Sequence, residues 1–165
     1  MTLREFQSAA MEFSPEGHDR IHYGCLGLMG ECGEVVDVVK KQRFGFHRRI
    51  DSEAMQEELG DVMWYLAELA TGLGIDLAAE MDSRRFQTTN YRRESVERYA
   101  VTMASLSYKC YSNGYIHNDK KLLITGMRKI YSCAKMIALI DSIPMNTILE
   151  GNIRKLKRRY PHGCG

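Results

Sequence analysis

Proline is scarce in this chain, and the signals of secretion and membrane insertion are absent. Only three prolines occur among 165 residues, and long stretches without proline favour helices. The five cysteines, at positions 25, 32, 110, 133 and 164, are odd in number and form no CxxC motif, which favours reduced thiols. No apolar run approaches the ~20 residues of a membrane span, and the charged N-terminus lacks the apolar core of a signal peptide. We therefore expect a cytoplasmic protein with no membrane partner.

An excess of charge of either sign is also missing. Lys and Arg number 23 and Asp and Glu 21, for a net charge of +2. This balance argues against nucleic-acid binding over the whole surface, although it leaves room for a local basic patch. Hydrophobic residues make up 44% of the chain and charged residues 27%. These values are typical of one globular domain and exclude a disordered tail, a collagen-like fibre or a disulfide miniprotein.

Turn and capping signals divide the chain into seven predicted helices, and no segment alternates as a strand would. The predicted helices span about residues 3–13, 19–43, 52–71, 76–86, 95–110, 119–140 and 144–160. Asp51 is the predicted N-cap of the third helix, 88–90 a linker, and 112–114 a loop, while Gly163 helps to close the last helix. The predicted fold is an all-α helical bundle.

Glycine recurs every three residues in the long second helix, at positions 24, 27, 30 and 33. Each glycine costs about 1 kcal/mol relative to alanine inside a helix. Close approach of a neighbouring helix is the favoured reason for keeping them, and room for a bulky ligand is the alternative.

Two pairs of carboxylates stand three residues apart on consecutive predicted helices. Glu31 and Glu34 form an ExxE motif, and Glu58 and Asp61 form an ExxD motif. Residues three apart share a helix face, so two antiparallel helices can present all four acids to one another. Beside apolar neighbours these acids would repel unless cations lay between them, and such oxygen ligands suit Mg²⁺, with Mn²⁺ as an alternative. The competing interpretation is two solvated helix faces with incidental acids.

The segments around these acids resemble a known family. The segments GECGEVVDVVKK at 30–41 and EELGDV at 57–62 are similar to the MazG-type all-α nucleotide pyrophosphohydrolases, and NIRKLKRRYPHG at 152–163 resembles their closing helix. The resemblance covers about residues 21–82 and 145–163, with its three motifs in the expected order. It implies the bundle fold of that family.

The resemblance also implies an activity and a role for each matching residue. Family members hydrolyse nucleoside triphosphates to monophosphates and pyrophosphate. By resemblance, the catalytic metal ligands would be Glu31, Glu34, Glu58 and Asp61, and the nucleotide would be bound by Lys40, Asn152, Lys155 and Arg159. One acid, Glu34 or Glu31, would orient the attacking water instead. Two alternatives remain: a base-specific enzyme for dUTP, dCTP or a purine dNTP, like those of some bacterial viruses, and a non-catalytic helical binding module.

Three further observations concern side chains near the motifs. Asn152, Lys155 and Arg159 share one helix face, as a triphosphate contact requires, but a solvated or weakly RNA-binding basic tail would look similar. Trp64 follows Asp61 by three residues, and core packing is favoured over stacking on a nucleobase. The histidines at positions 18 and 22 have a metal-compatible spacing, but a helix start is the better interpretation.

The chain departs from a single MazG unit by about sixty inserted residues. A shift of 68 residues aligns Leu69 with Ile137 and Ile75 with Ile143, but it places Gly126 opposite Glu58 and Lys129 opposite Asp61. Residues 88–144 are therefore predicted to be either a degenerate repeat without its carboxylates or plain inserted helices. They separate a metal-binding half, 1–87, from a closing nucleotide-binding helix, 145–163, within one domain of 1–165. Single MazG units pair between subunits, so a repeat could complete the bundle internally, and we still expect a homo-oligomer, a dimer or tetramer.

Overall fold

The computed structural model describes residues 1–45, 52–81 and 95–161, and this part of the chain is helical throughout, with no strand. Its elements are α1 (Leu3–Met11), α2 (Arg20–Phe44), α3 (Ser52–Gly72), α4 (Leu77–Glu80), α5 (Val96–Lys109), a π-helical segment (Cys110–Tyr115), α6 (Lys120–Ile140) and α7 (Met145–Arg159). The all-α bundle prediction is confirmed. None of the described helices combines the length and apolar character needed to cross a bilayer.

Side-chain caps explain where most helices begin. Asp19 accepts hydrogen bonds from the backbone amides of Ile21 and His22 at the start of α2, and Asp76 and Asp119 cap α4 and α6 in the same way. These caps satisfy amides that have no partner inside the helix. The predicted cap Asp51, the linker at 88–90, the end of the fourth helix beyond residue 81 and Gly163 lie outside the described residues.

The predicted loop at residues 112–114 is wrong, because α5 continues there as the π-helical segment. Two tyrosines of this segment pack against the start of α2. Tyr115 stacks on the His22 ring with centroids 4.8 Å apart, and its hydroxyl donates to Asp19 Oδ2 at 3.1 Å. Tyr111 also stacks on His22. These tertiary contacts outweigh the turn tendency of Ser-Asn-Gly, and a π-helical turn widens the helix to fit them.

The bundle consists of two helical hairpins, α2–α3 and α5–α6, which meet where α2 packs on α5. Helix α7 lies along α3, and α1 also packs on α3. The central helix α3 therefore buries most of its surface, including fully buried Leu59, Met63 and Leu66. Burying one such side chain contributes about 1.5–3 kcal/mol. The four cysteines among the described residues are buried.

The glycines of α2 divide into two pairs. A Cβ on Gly24 would lie 2.7 Å from Leu69 Cγ, and one on Gly27 would lie 2.0 Å from the Tyr65 ring. A Cβ on Gly30 or Gly33 would meet nothing within 4 Å. The close-approach interpretation thus holds for Gly24 and Gly27, which make room for side chains of α3.

Helices α3 and α6 correspond under the 68-residue shift. The first and last residues of α3, 52 and 72, correspond to the first and last residues of α6, 120 and 140. The turns after them also match: Ile75 donates to the carbonyl of Ala70 at 2.9 Å, and Ile143 to that of Ala138 at 2.8 Å. Gly74 and Ser142, again 68 apart, both have positive φ. These matches between α3 and α6 are compatible with a repeat, and the choice between a repeat and inserted helices, the division into domain parts and the homo-oligomer stay predictions.

Alanine substitution separates the two kinds of glycine. Gly27→Ala should lower the free energy of unfolding by about 1–3 kcal/mol, because the new methyl group displaces the Tyr65 ring. Gly30→Ala, the control on the same helix, should raise it by up to about 1 kcal/mol, because its methyl group enters open space. Urea denaturation of both variants measures the difference, and equal effects would contradict the packing argument.

Candidate metal centre

Three carboxylates converge between α2 and α3. Glu31, Glu58 and Asp61 each offer one oxygen, and these oxygens lie within 4.8 Å of one another. All three residues are partly buried. Glu34, on the next turn of α2, is exposed and outside this group. The structure therefore brings together three of the four predicted acids.

Helix α7 reaches the acids through its polar face. Asn152 Nδ2 donates to Asp61 Oδ1 at 2.7 Å, and Lys155 Nζ pairs with the other Asp61 oxygen and with Glu57 Oε1, the latter at 3.2 Å. This approach depends on Gly60, where a Cβ would lie 3.0 Å from Asn152 Cβ and 3.5 Å from a backbone oxygen of α7. The structure thus joins residues more than ninety positions apart in sequence.

Burial and mutual repulsion change the protonation of the acids. Burial, followed by the charges of Asp61 and Glu58, raises the pKa of Glu31 to about 7. Burial is also the main cause of the raised pKa values of Glu58 and Asp61. Burial is the largest single influence on Lys155 and opposes its charge, but the hydrogen bonds and charges of Asp61 and Glu57 together outweigh it and raise the lysine pKa. Without a cation, the centre therefore keeps protons at pH values at which isolated carboxylates have already lost theirs.

The donor atoms fit a divalent metal ion. Three carboxylate oxygens lie within reach of a common ligand. Next to them, the buried Asn152 Oδ1 has no hydrogen-bond partner among the described residues. Carboxylate and amide oxygens are the ligands that Mg²⁺ and Mn²⁺ prefer. The residues that could hold such an ion are therefore Glu31, Glu58 and Asp61, with Asn152 beside them.

A cavity of about 150 Å³ opens beside the acids. Its walls combine acidic, aromatic and cationic side chains from four parts of the chain, and they comprise Phe13, Pro15, Tyr23, Glu31, Asp61, Trp64, Tyr65, Lys155, Leu156, Arg159 and Tyr160. Arg159 and Lys155 therefore share one cavity with two of the carboxylates. The arrangement can accommodate a ligand that has both a flat apolar part and a charged part.

Trp64 both packs in the core and lines this cavity. Its side chain is 7% exposed, and its Nε1 donates to the Ala10 carbonyl at 3.1 Å. Edge-to-face contacts join its ring to Tyr23 and Tyr65. The two tyrosines were not predicted as site residues, although Tyr65 follows Asp61 by four residues and Tyr23 precedes Glu31 by eight, both helical spacings. No sequence signal marks Phe13 or Pro15.

A buried ion network supports the wall that carries Phe13 and Pro15. Glu68 is fully buried, its Oε1 lies 2.8 Å from His18 Nε2, and both its oxygens accept from Arg20 at 3.1 Å. Arg20 also donates to Ser14 Oγ at 2.8 Å. These bonds tie the segment before α2 to α3. His18 thus has a structural partner, in agreement with the helix-start interpretation.

Lys40 is not brought to the centre. It is exposed and pairs with Asp37 one turn earlier in α2, as does Lys41. It does not line the cavity beside the acids. We therefore leave Lys40 out of the candidate centre.

The comparisons with known proteins agree with the motifs around this centre. Residues 23–83, which include all four acids, match the family model of the MazG nucleotide pyrophosphohydrolase domain. The predicted family resemblance is thereby confirmed. The Gene 37 protein of Mycobacterium phage L5 is 41% identical over 61 residues, which cover 35% of this chain and 54% of that protein. The chain thus matches about half the length of this relative. No solved structure matches the chain.

The raised pKa of Glu31 predicts how the stability of the metal-free protein depends on pH. The folded protein keeps a proton on Glu31 up to about pH 7, whereas the unfolded chain loses it near the ordinary value of 4.5. The Glu31 contribution to the free energy of unfolding should therefore fall as pH rises through this interval and stay level above it. Urea denaturation in EDTA at several pH values measures this slope. Glu31→Gln should reduce it, and an unchanged slope would contradict the assignment.

Proposed function

We propose that this MazG-like protein is a divalent-metal-dependent pyrophosphohydrolase that cleaves a nucleoside or deoxynucleoside triphosphate to the monophosphate and pyrophosphate. The observation that carries the proposal is the cavity in which the carboxylates, two cationic side chains and an aromatic wall meet. A non-catalytic docking module would gain nothing from partly buried carboxylates that repel one another. The family match of residues 23–83 supports the same activity.

The carboxylates are the proposed metal ligands. Glu31, Glu58 and Asp61 would hold Mg²⁺, or Mn²⁺, and the buried bond from Asn152 fixes the orientation of Asp61. When bound, the ion neutralises phosphate charge and lowers the pKa of water. Lys155 compensates part of the negative charge around Asp61.

Glu34 is the proposed residue that orients the attacking water. It lies one turn from Glu31 and is exposed, outside the three clustered carboxylates, so it is free to accept a proton. The water oxygen bonds to the α-phosphorus while the bond from that phosphorus to the bridging oxygen breaks. Pyrophosphate leaves with the electron pair, and the proton of the water passes to the carboxylate.

Lys155 and Arg159 are the proposed ligands of the phosphate chain. Both line the cavity from one face of α7, and cationic donors stabilise phosphate oxygens through charge-assisted hydrogen bonds. The opposite wall, with Trp64, Tyr65 and Tyr23, offers rings for the base. Stacking contributes about 1–3 kcal/mol per base and tolerates all bases. A base-specific dNTP enzyme is the narrower form of this proposal. Its preference for one base would come from the side chains at the edge of the cavity.

The reaction products test the proposal directly. With Mg²⁺ and a panel of ribo- and deoxynucleoside triphosphates, we expect the monophosphate and pyrophosphate, measured by chromatography. Glu58→Gln and Asp61→Asn should each reduce kcat by about 10²-fold or more, the usual effect of losing one electrostatic element. The control Glu53→Gln changes an exposed acid of α3 outside the cluster and should keep full activity. Release of orthophosphate and a diphosphate would refute the mechanism.

Lys155→Ala tests the proposed contact with the phosphate chain. We expect KM to rise by about tenfold or more, because a hydrogen bond to a charged group contributes about 1.5–3 kcal/mol. Lys157→Ala is the matched control, since Lys157 is exposed on the same helix and lines no part of the cavity. Steady-state kinetics separate KM from kcat. Equal losses in both variants would mean that α7 acts only as a diffuse basic surface.

A further inference from the structure

A second cavity lies in the other hairpin, where the π-helical segment faces α6. Its volume is about 160 Å³, close to the 150 Å³ of the cavity at the candidate metal centre. Its walls include Lys109, Cys110 and Asn113 on one side and Thr125, Gly126 and Lys129 on the other. None of these residues belongs to the candidate metal centre.

One wall of this second cavity, formed by α6, corresponds to the part of α3 that carries two of the acids. The 68-residue correspondence between α3 and α6 places Gly126 at the position of Glu58 and Lys129 at that of Asp61. Cys110 and Asn113 line the opposite wall. A Cβ on Gly126 would lie 2.4 Å from Cys110 Sγ, so the two walls face each other closely.

The charge in this cavity is opposite to that in the metal centre. Between Glu97 and Asp141 the only acid is Asp119, and its carboxylate caps α6. The same stretch carries seven Lys and Arg, namely Arg98, Lys109, Lys120, Lys121, Arg128, Lys129 and Lys135. Neither Lys109 nor Lys129 forms an ion pair with any described residue. Within the described part of the chain, two lysines without an ion-pair partner therefore share one cavity, and no carboxylate is among the residues that line it.

We propose that this cavity binds a phosphate group without a metal ion, as part of a nucleotide or as free pyrophosphate. The ammonium groups of Lys109 and Lys129 supply the charge. Asn113 Oδ1 accepts a hydrogen bond from Ser112 Oγ at 3.0 Å. The amide nitrogen of Asn113 is therefore the group that can donate to an anion. The Thr125 hydroxyl supplies a further donor. In the metal centre the lysine and arginine share the cavity with carboxylates that repel phosphate, whereas no carboxylate is among the residues that line this cavity.

Binding in the absence of metal tests the proposal without any measurement of activity. The full chain is titrated by calorimetry with pyrophosphate and, separately, with AMP, both in EDTA. We expect saturable binding of at least one probe, and the tighter probe identifies whether the site reads phosphate alone or a nucleotide. Lys109→Ala/Lys129→Ala should weaken binding at least tenfold, and Lys109→Arg/Lys129→Arg should retain it. Both lysines are exposed, so both variants should remain folded.

Two controls distinguish this cavity from general attraction and from the metal centre. Lys120→Ala/Lys121→Ala removes the same charge from exposed positions of α6 and should leave binding unchanged. Lys155→Ala changes the metal centre, so the binding that belongs to the second cavity should persist in this variant. The proposal is overturned by no binding, by equal weakening in the charge-matched control, or by loss in Lys155→Ala alone. Because no turnover is measured, these outcomes are independent of the proposed hydrolysis.

Discussion

The repulsion among three partly buried carboxylates is the constraint on which the rest of this structure depends. Moving charges out of water costs several kcal/mol per ion even in relaxed protein interiors, and here the acids also raise one another's pKa values. The protein offsets part of this cost with Lys155 and Asn152 from α7. Those contacts in turn require Gly60, because a side chain there would keep α7 away from α3. A cation supplied from solution can offset the remainder, so the same constraint that destabilises the empty centre favours the binding of a divalent cation.

Much of the fold could be predicted from the sequence because its signals are local. Asp19, Asp76 and Asp119 cap helices as expected, and the spacing of three in ExxE and ExxD is a property of one helix. The π-helical segment could not be predicted, since it depends on Tyr111 and Tyr115 stacking on His22, a residue about ninety positions away. Local sequence signals predict a structure correctly where the interactions within one helix determine it. They fail where the packing between helices determines it.

The candidate site shows the same division. Helical spacing predicted which helix faces carry Glu31, Glu58 and Asp61. The contact of Asp61 with Lys155 could not be predicted, because it depends on how α7 packs against α3. The aromatic wall was missed for a related reason. Tyr65 occupies the space that Gly27 leaves on the facing helix. The position of the Tyr65 ring therefore cannot be predicted from either residue alone. The glycine pattern indicated close approach of a neighbouring helix without indicating which side chain fills the gap, because that depends on the register of α2 against α3.

The two hairpins differ in whether they carry carboxylates at the positions matched by the 68-residue shift. A helical hairpin buries its apolar face only against a partner, and α5–α6 supplies that partner for α2–α3 through the contact of α5 with α2. The supporting hairpin contributes to stability whether or not it carries carboxylates. At the positions that the 68-residue shift matches to Glu58 and Asp61, α6 carries Gly126 and Lys129 and therefore has no carboxylate desolvation cost, while Met127 and Ile130 remain fully buried. The stability gained in this half can then offset the repulsion retained at Glu31, Glu58 and Asp61. Charge of the opposite sign in the second cavity is compatible with this division, because lysine ends reach solvent while their stems cover apolar surface.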